Sequence, residues 1–171
     1  MTIPKRLIKF LDDSGVSYDS IDHRTVYTAY DKSETLDEKP SRVAKTLVLK
    51  LGRRDIGVVS LPANRNVDKR KIKGLINQQR EEVGKKKIKK VKFASERLIK
   101  SRFKSRGMRL GVIPPFGNLV DVPTFVNKSL LNKRKLILNS GRHEKSIVMS
   151  GRNFKKVVPN LIEGRFTRSK S

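Results

Sequence analysis

The segment Val43-Ala44-Lys45-Thr46-Leu47-Val48-Leu49-Lys50 sets a cation inside an apolar run. A lysine is costly to bury without a partner, so Lys45 either snorkels to water or meets an anion. With a strand starting at Ala44, Lys45 shares a face with Leu47 and Leu49, the face expected to look inward. A second group, Asn139-Ser140-Gly141-Arg142-His143, reads as a turn between two strands. Its tip offers backbone N–H groups, a guanidinium and an imidazole together, which suits a phosphate or a carbonyl oxygen. An ordinary hairpin turn with two exposed side chains fits the same residues. The third group is Gly111-Val112-Ile113-Pro114-Pro115-Phe116-Gly117. Adjacent prolines exclude a helix and cost a central strand its ladder donors. The stretch is either a plain turn or a rigid wall that holds a small ligand against backbone groups.

Familiar catalytic signatures do not occur. There is no cysteine, so disulfides and thiolate metal sites are excluded. The two histidines, His23 and His143, have no supporting carboxylate cluster for zinc. Neither histidine sits in a Ser or Asp triad pattern, and no GxSxG, P-loop, dinucleotide fingerprint or HExxH motif appears. An enzyme built from these residues is expected to use no metal, no cofactor and no covalent intermediate. It would direct water at an already labile bond through positioning and oriented backbone dipoles.

Charge narrows the partner. The 171 residues carry 41 Lys and Arg against 16 Asp and Glu, a net charge of +25. Residues 69–106 alone hold 16 basic and 3 acidic side chains, including Lys69, Arg70, Lys71, Lys73, Lys85, Lys86, Lys87, Lys89 and Lys90. A field this concentrated is expected to meet nucleic-acid phosphate. No helix-turn-helix or zinc-finger pattern supports DNA. No apolar run approaches the ~20 residues of a membrane span, and no signal peptide is visible, so a soluble cytoplasmic protein is expected.

These groups need elements to carry them. Ile3, Leu7, Phe10 and Leu11 fall on one face of a helix over 3–14, with Thr2 as cap and Gly15 as stop. Residues 16–22 alternate as a strand, and the polar segment that follows reads as a loop ending in a short helix near Pro40. Residues 44–52 and 55–63 form a hairpin. A helix then carries Val67, Ile72 and Leu75/Ile76, and 84–95 alternates partly as a strand through Ile88, Val91 and Phe93. Ser95 caps a helix over 96–103. Strands follow near 118–126, 135–141 and 145–151, and Ser150 caps a closing helix with Phe154, Val157 and Val158. The expected fold is a single α/β domain over 1–164, a mixed, mostly antiparallel sheet curling toward a barrel with flanking helices. Residues 165–171 read as a basic C-terminal tail.

The ordered trio of 43–50, 111–117 and 136–158 resembles the YbaK/prolyl-tRNA synthetase editing-domain family. The resemblance spans nearly the whole chain. It implies a freestanding aminoacyl-tRNA deacylase that hydrolyses the ester of mischarged tRNA, typically tRNA for proline carrying alanine or cysteine. The family's V-x-K-[TS] lysine falls on Lys45, implied to hold the terminal adenosine, with Thr46 beside it. Its G-x-x-x-P loop falls on Gly111 and Pro115, so that the glycine admits backbone to the ester while Val112, Ile113, Pro114 and Pro115 size the amino-acid pocket. Its later turn falls on Asn139, Ser140, Gly141, Arg142 and His143. Lys45, Gly111 and His143 are thereby implied as the catalytic set, and tRNA, with a synthetase, as partners. Relatives carry acidic residues where this chain has Asn127 and Ser146. A non-catalytic RNA-binding protein on the same scaffold is the alternative reading.

Overall fold

A computed structural model describes residues 2–170. Helix α1 (Lys5–Ser14) buries Leu7 and Leu11 and ends at Gly15 in the left-handed region, as expected. Its N-cap is Pro4 rather than Thr2, and no side chain caps it. Strand β1 (Asp19–Asp22) is shorter than the alternation predicts. The segment expected to be a loop contains α2 (Ala29–Thr35), capped by the Thr28 hydroxyl, which accepts from Asp31 N at 3.0 Å. Tertiary packing explains the difference. Its seven residues include only one aliphatic side chain, Ala29, which with Leu36 just beyond the helix packs against Val43, Ala63 and Ile137. The expected short helix at Pro40 is a 3-10 turn over Pro40–Arg42.

The hairpin forms as expected from β2 (Ala44–Lys50) and β3 (Ile56–Pro62), paired antiparallel with Lys45 opposite Leu61 and Thr46 opposite Ser60. Val67 belongs to a short strand β4 (Arg65–Val67) rather than to the helix. Helix α3 (Lys69–Glu82) starts at Asp68, whose carboxylate accepts from Arg70 N and Lys71 N; a cap of this kind contributes about 1 kcal/mol. The lysine-rich stretch pairs only over β5 (Lys92–Phe93), where it adds to the β2 edge. Like charges at successive exposed positions give the rest of it little to pair with. Ser95 caps α4 (Glu96–Phe103) as predicted.

Strands β6 (Thr124–Asn127), β7 (Leu136–Asn139) and β8 (Lys145–Met149), and then α5 (Gly151–Val157) with its Ser150 cap, complete the body. Two final short strands are β9 (Ile162–Gly164) and β10 (Thr167–Ser169). The segment expected to trail as a tail therefore folds in. Phe166 is fully buried, its N–H donates to Asn127 Oδ1 at 2.9 Å, and β10 pairs antiparallel with β4. Ser171 lies outside the described residues.

The strands form sheets of order β5-β2-β3-β6-β9, β1-β8-β7 and β10-β4. Pairings are antiparallel except β3–β6 and β6–β9, as a mixed, mostly antiparallel sheet requires. The two larger sheets touch through one isolated bridge, Val43 to Ile137, and no closed barrel forms among the described residues. One face of β2 and β3 packs with Phe103, Phe116 and Phe154 in the main core. The other face meets Ile72 and Ile76 of α3 together with Phe166. No described helix is long and apolar enough to cross a membrane.

Candidate functional site

Asn139, at the end of β7, gathers the site. Its Nδ2 lies 3.4 Å from Ile113 O and 3.5 Å from Thr46 Oγ1, so the proline loop and the head of β2 meet at one carboxamide. Its Oδ1 accepts from Lys32 Nζ at 2.8 Å. Lys32 is 2% exposed, and burial pulls its ammonium down to a pKa of about 8 from 10.5. Nothing in the sequence around Lys32 marks it. A polar segment without apolar periodicity gives no reason to bury a lysine, so sequence reasoning misses this residue.

The proline loop is locked to the turn after β7 by the main chain. Gly141 N donates to Val112 O at 2.8 Å, and Arg109 N donates to Gly141 O at 3.0 Å. Val112, Ile113, Pro114 and Pro115 are buried, and Phe116 packs on Phe10 and Phe154 with ring centroids 5.7 and 5.5 Å apart. Gly111 is exposed, has φ +85°, and a side chain there would stand 3.5 Å from His143 Cε1. Glycine suits this spot because L side chains disfavour that backbone region.

His143 Nδ1 lies 3.1 Å from Val26 O. A carbonyl only accepts, so Nδ1 carries the proton and, in the neutral ring, Nε2 is left as an acceptor. The ring leans on Tyr27 at 5.0 Å and lines a cleft of about 290 Å³ with Met108, Arg109 and Leu110. Arg142 is engaged elsewhere. Its guanidinium donates to Thr2 O at 2.9 Å, to Gly141 O at 3.1 Å and to Gly107 O, which staples the start of the chain to this turn. Ser140 is buried and donates to Lys145 O at 2.6 Å.

Lys45 and Thr46 point to opposite faces of β2, as strand alternation demands. Thr46 faces Asn139, whereas Lys45 shares the face of Leu47 and Leu49, the second core. Lys45 is half-buried. That burial, and then the nearby charge of Lys170, lower its pKa. The structure thus joins Thr46, Ile113 and Asn139 directly, and Gly111, Gly141 and His143 beside them, with Lys45 on the far side of its strand.

One pairing is invisible in the sequence. His23 and Ser146, 123 residues apart, meet at 2.9 Å through Nε2 and Oγ. His23 Nδ1 lies 2.8 Å from Arg24 O, so the tautomer again follows, and the Ser146 hydroxyl donates to Nε2. Burial first, and the Lys32 charge in addition, lower the His23 pKa. Ser146 is fully buried, so no electrophile reaches its oxygen and the pair acts as a strut. Among the described residues no group of three or more His, Cys, Asp or Glu is placed to hold a metal ion.

The basic surface lies on another side. Lys69, Arg70, Lys71, Lys85, Lys86, Lys87, Lys89 and Lys90 are exposed, and Lys73 is half-buried. The 85–90 segment is fastened to α3. Asn77 and Ile88 exchange hydrogen bonds of 3.1 and 2.7 Å, Lys73 Nζ donates to Lys89 O at 3.3 Å, and Arg80 donates to Lys86 O. Lys85 pairs with Asp55 at 3.2 Å and Lys87 with Glu81 at 3.7 Å. Lys86, Lys89 and Lys90 join Lys50, Arg53 and Lys92 around an open cleft of about 510 Å³.

Known proteins share this architecture. A structure described as hypothetical protein APE2540 is 16% identical, covering 95% of this chain and 99% of its own, with a TM-score of 0.75. A candidate trans-editing enzyme for prolyl-tRNA synthetase is 13% identical over 99% of both chains, also with a TM-score of 0.75. A scaffold from computational epitope grafting is 12% identical over 99% of both, with the same TM-score. At these identities the likeness shows the fold. Among curated proteins no match is found. Residues 23–157, which include the helix of Lys32, the proline loop and the turn around Asn139, match the aminoacyl-tRNA editing domain, and the chain belongs to that family.

Proposed function

We propose that this protein is a trans-acting aminoacyl-tRNA deacylase that hydrolyses the ester of mischarged tRNA, with tRNA for proline carrying alanine or cysteine as the substrate. The observation that carries the reading is Asn139. One side chain there touches the proline loop at Ile113, the head of β2 at Thr46 and the buried Lys32. A wall backed by two adjacent buried prolines is stiff, which is what size discrimination needs. Synthetase pockets separate side chains that differ by one methylene only about 10–200-fold, so a second sieve restores accuracy.

In this reading Gly111 lets the main chain approach the ester, and backbone N–H groups take up the charge that develops on its carbonyl oxygen. A water held at His143 Nε2 attacks the carbonyl carbon. The acyl–oxygen bond breaks, the free amino acid leaves, and the proton ends on the ribose hydroxyl of the tRNA. Lys45 steers the terminal phosphate or ribose, and Lys69, Arg70, Lys71, Lys73 and the 85–90 lysines hold the tRNA body by charge. The work would take place in the cytoplasm, alongside a synthetase.

The test is hydrolysis of tRNA for proline charged separately with alanine, cysteine and proline, by the wild type and by Lys45→Ala. Cleavage of a mischarged species, lost on substitution, supports the reading and names the substrate. Bound RNA with no cleavage of any species supports the second reading, a non-catalytic RNA-binding protein. That reading is favoured by the side of β2 on which Lys45 lies, opposite the face of Thr46.

A further inference from the structure

Large apolar side chains more than half exposed, or nearly so, are few among the described residues: Tyr27 at 71%, Tyr30 at 50%, Val83 at 55% and Phe93 at 54%. Two of the four fall within four residues of each other, at the edge of the candidate site. Tyr27 precedes the Thr28 cap of α2, and Tyr30 lies in its first turn.

One ring touches the site and the other a cation near it. Tyr27 lies against His143, the imidazole beside Gly111. Tyr30 lies under Lys170 Nζ, 5.6 Å from the ring centroid, and the charge of Lys170 also reaches Lys45. The short stretch 27–30 therefore runs from the imidazole beside Gly111 to the ammonium of Lys170, and its exposed surface is aromatic with a cation at one end. Neither ring fills a core, and a solvent-exposed tyrosine face gains nothing from folding.

Aromatic faces alternating with positive charge are the physical signature of a single-stranded nucleic-acid track, because every base has a π-face and every phosphate a charge. We propose that Tyr27 and Tyr30 form a stacking platform for the unpaired nucleobases at the 3′ end of the aminoacyl-tRNA, an inference that rests on the proposed deacylase reading. The platform grips the bases next to the ester independently of the lysine surface that grips the tRNA body.

The chain has no tryptophan and three tyrosines, so tyrosine emission reports on the platform directly. Tyr18, whose hydroxyl bonds Asp12, is changed to Phe to silence the remaining reporter. This protein is titrated at fixed salt with a short single-stranded RNA ending in CCA, and with the same strand made abasic at its last three positions. Affinity is read from the anisotropy of the labelled strand. Stacking predicts quenching by the base-bearing strand only. It predicts binding weakened on the order of 5- to 150-fold by the abasic ending, by Tyr27→Ala or by Tyr30→Ala, with the Phe variants close to wild type. Equal affinity for the two strands, or a Tyr27→Ala/Tyr30→Ala double variant that binds as the wild type does, would overturn the platform. No ester is turned over in this assay. Intact stacking with no deacylation of any charged tRNA would instead overturn the activity and leave the platform standing.

Discussion

Lys32 Nζ lies 2.8 Å from Asn139 Oδ1, and both side chains are almost wholly removed from water. The amide thereby has one fixed orientation. With Oδ1 committed to an ammonium or amine donor, Nδ2 is left for Ile113 O and Thr46 Oγ1. A buried lysine with a single neutral acceptor is expensive, and the cost has a pH signature.

With Lys32 at about 8 in the folded protein and 10.5 in its ordinary state, both forms are charged below pH 8 and the penalty is complete. Between those values the unfolded chain holds a proton that the folded one has released, so stability rises with pH by up to about 3 kcal/mol. Lys32→Met removes the charge and keeps most of the volume. Urea unfolding across this range should show the rise in the wild type and a flatter curve in the variant. Parallel curves would mean that the amine is not the group responsible.

His23 gives the opposite limb. Its pKa is lowered, so as pH falls through 6.5 the unfolded chain takes up a proton before the folded one does, and stability drops. His23→Gln should shrink that acid-side loss without altering the alkaline rise from Lys32. Thermal melts at successive pH values check this, and an unchanged acid limb in the variant would refute it.

Two glycines in the same loop should behave differently. At Gly111 a methyl meets nothing closer than 3.5 Å, and only the left-handed backbone is strained, so Gly111→Ala should cost about 1–2 kcal/mol. At Gly117 a methyl would lie 2.5 Å from Val122 O and 3.0 Å from Pro123 O, main chain that cannot step aside, and 2.7 Å from the Thr124 hydroxyl. Gly117→Ala should cost about 3 kcal/mol or more. Denaturant midpoints rank the two variants, and a milder Gly117→Ala would contradict the packing.

RNA affinity should fall steeply with salt. Replacing Lys86, Lys89 and Lys90 with alanine should lower the slope of log affinity against log salt by about 0.7 to 0.9 for each phosphate no longer neutralised. Stability should stay within about 0.5 kcal/mol, because these side chains are exposed. An unchanged slope would place the RNA on another surface.

The elements with their own local reasons are readable in the sequence. The β2–β3 hairpin shows as two apolar runs around a turn at Gly52, Ser95 and Ser150 cap their helices, and Gly15 ends α1, each from a few neighbouring residues. The proline loop is readable because two prolines permit so little. What cannot be read there depends on distant partners. Helix α2 has no apolar stripe, and Lys32 is buried there against an acceptor, Asn139, that lies 107 residues away. His23 finds Ser146 across 123 residues, and Phe166 folds inward because Asn127 waits for its N–H. The face on which Lys45 stands follows from alternation, but that Thr46 and not Lys45 looks at Asn139 needs the second sheet.

The pairing of β1 with β8 and of β4 with β10 ties early chain to late chain, and Arg142 fastens the carbonyl of Thr2 from 140 residues on. During synthesis this ordering has a consequence. A nascent chain that has emerged through β6 already carries Lys45, Thr46 and the proline loop, yet Asn139, His143 and the partner of His23 are still to come. For the proposed deacylase, the two walls of the site therefore come together only late in synthesis, and an unfinished copy on the ribosome would lack the complete site with which to act on the charged tRNA around it.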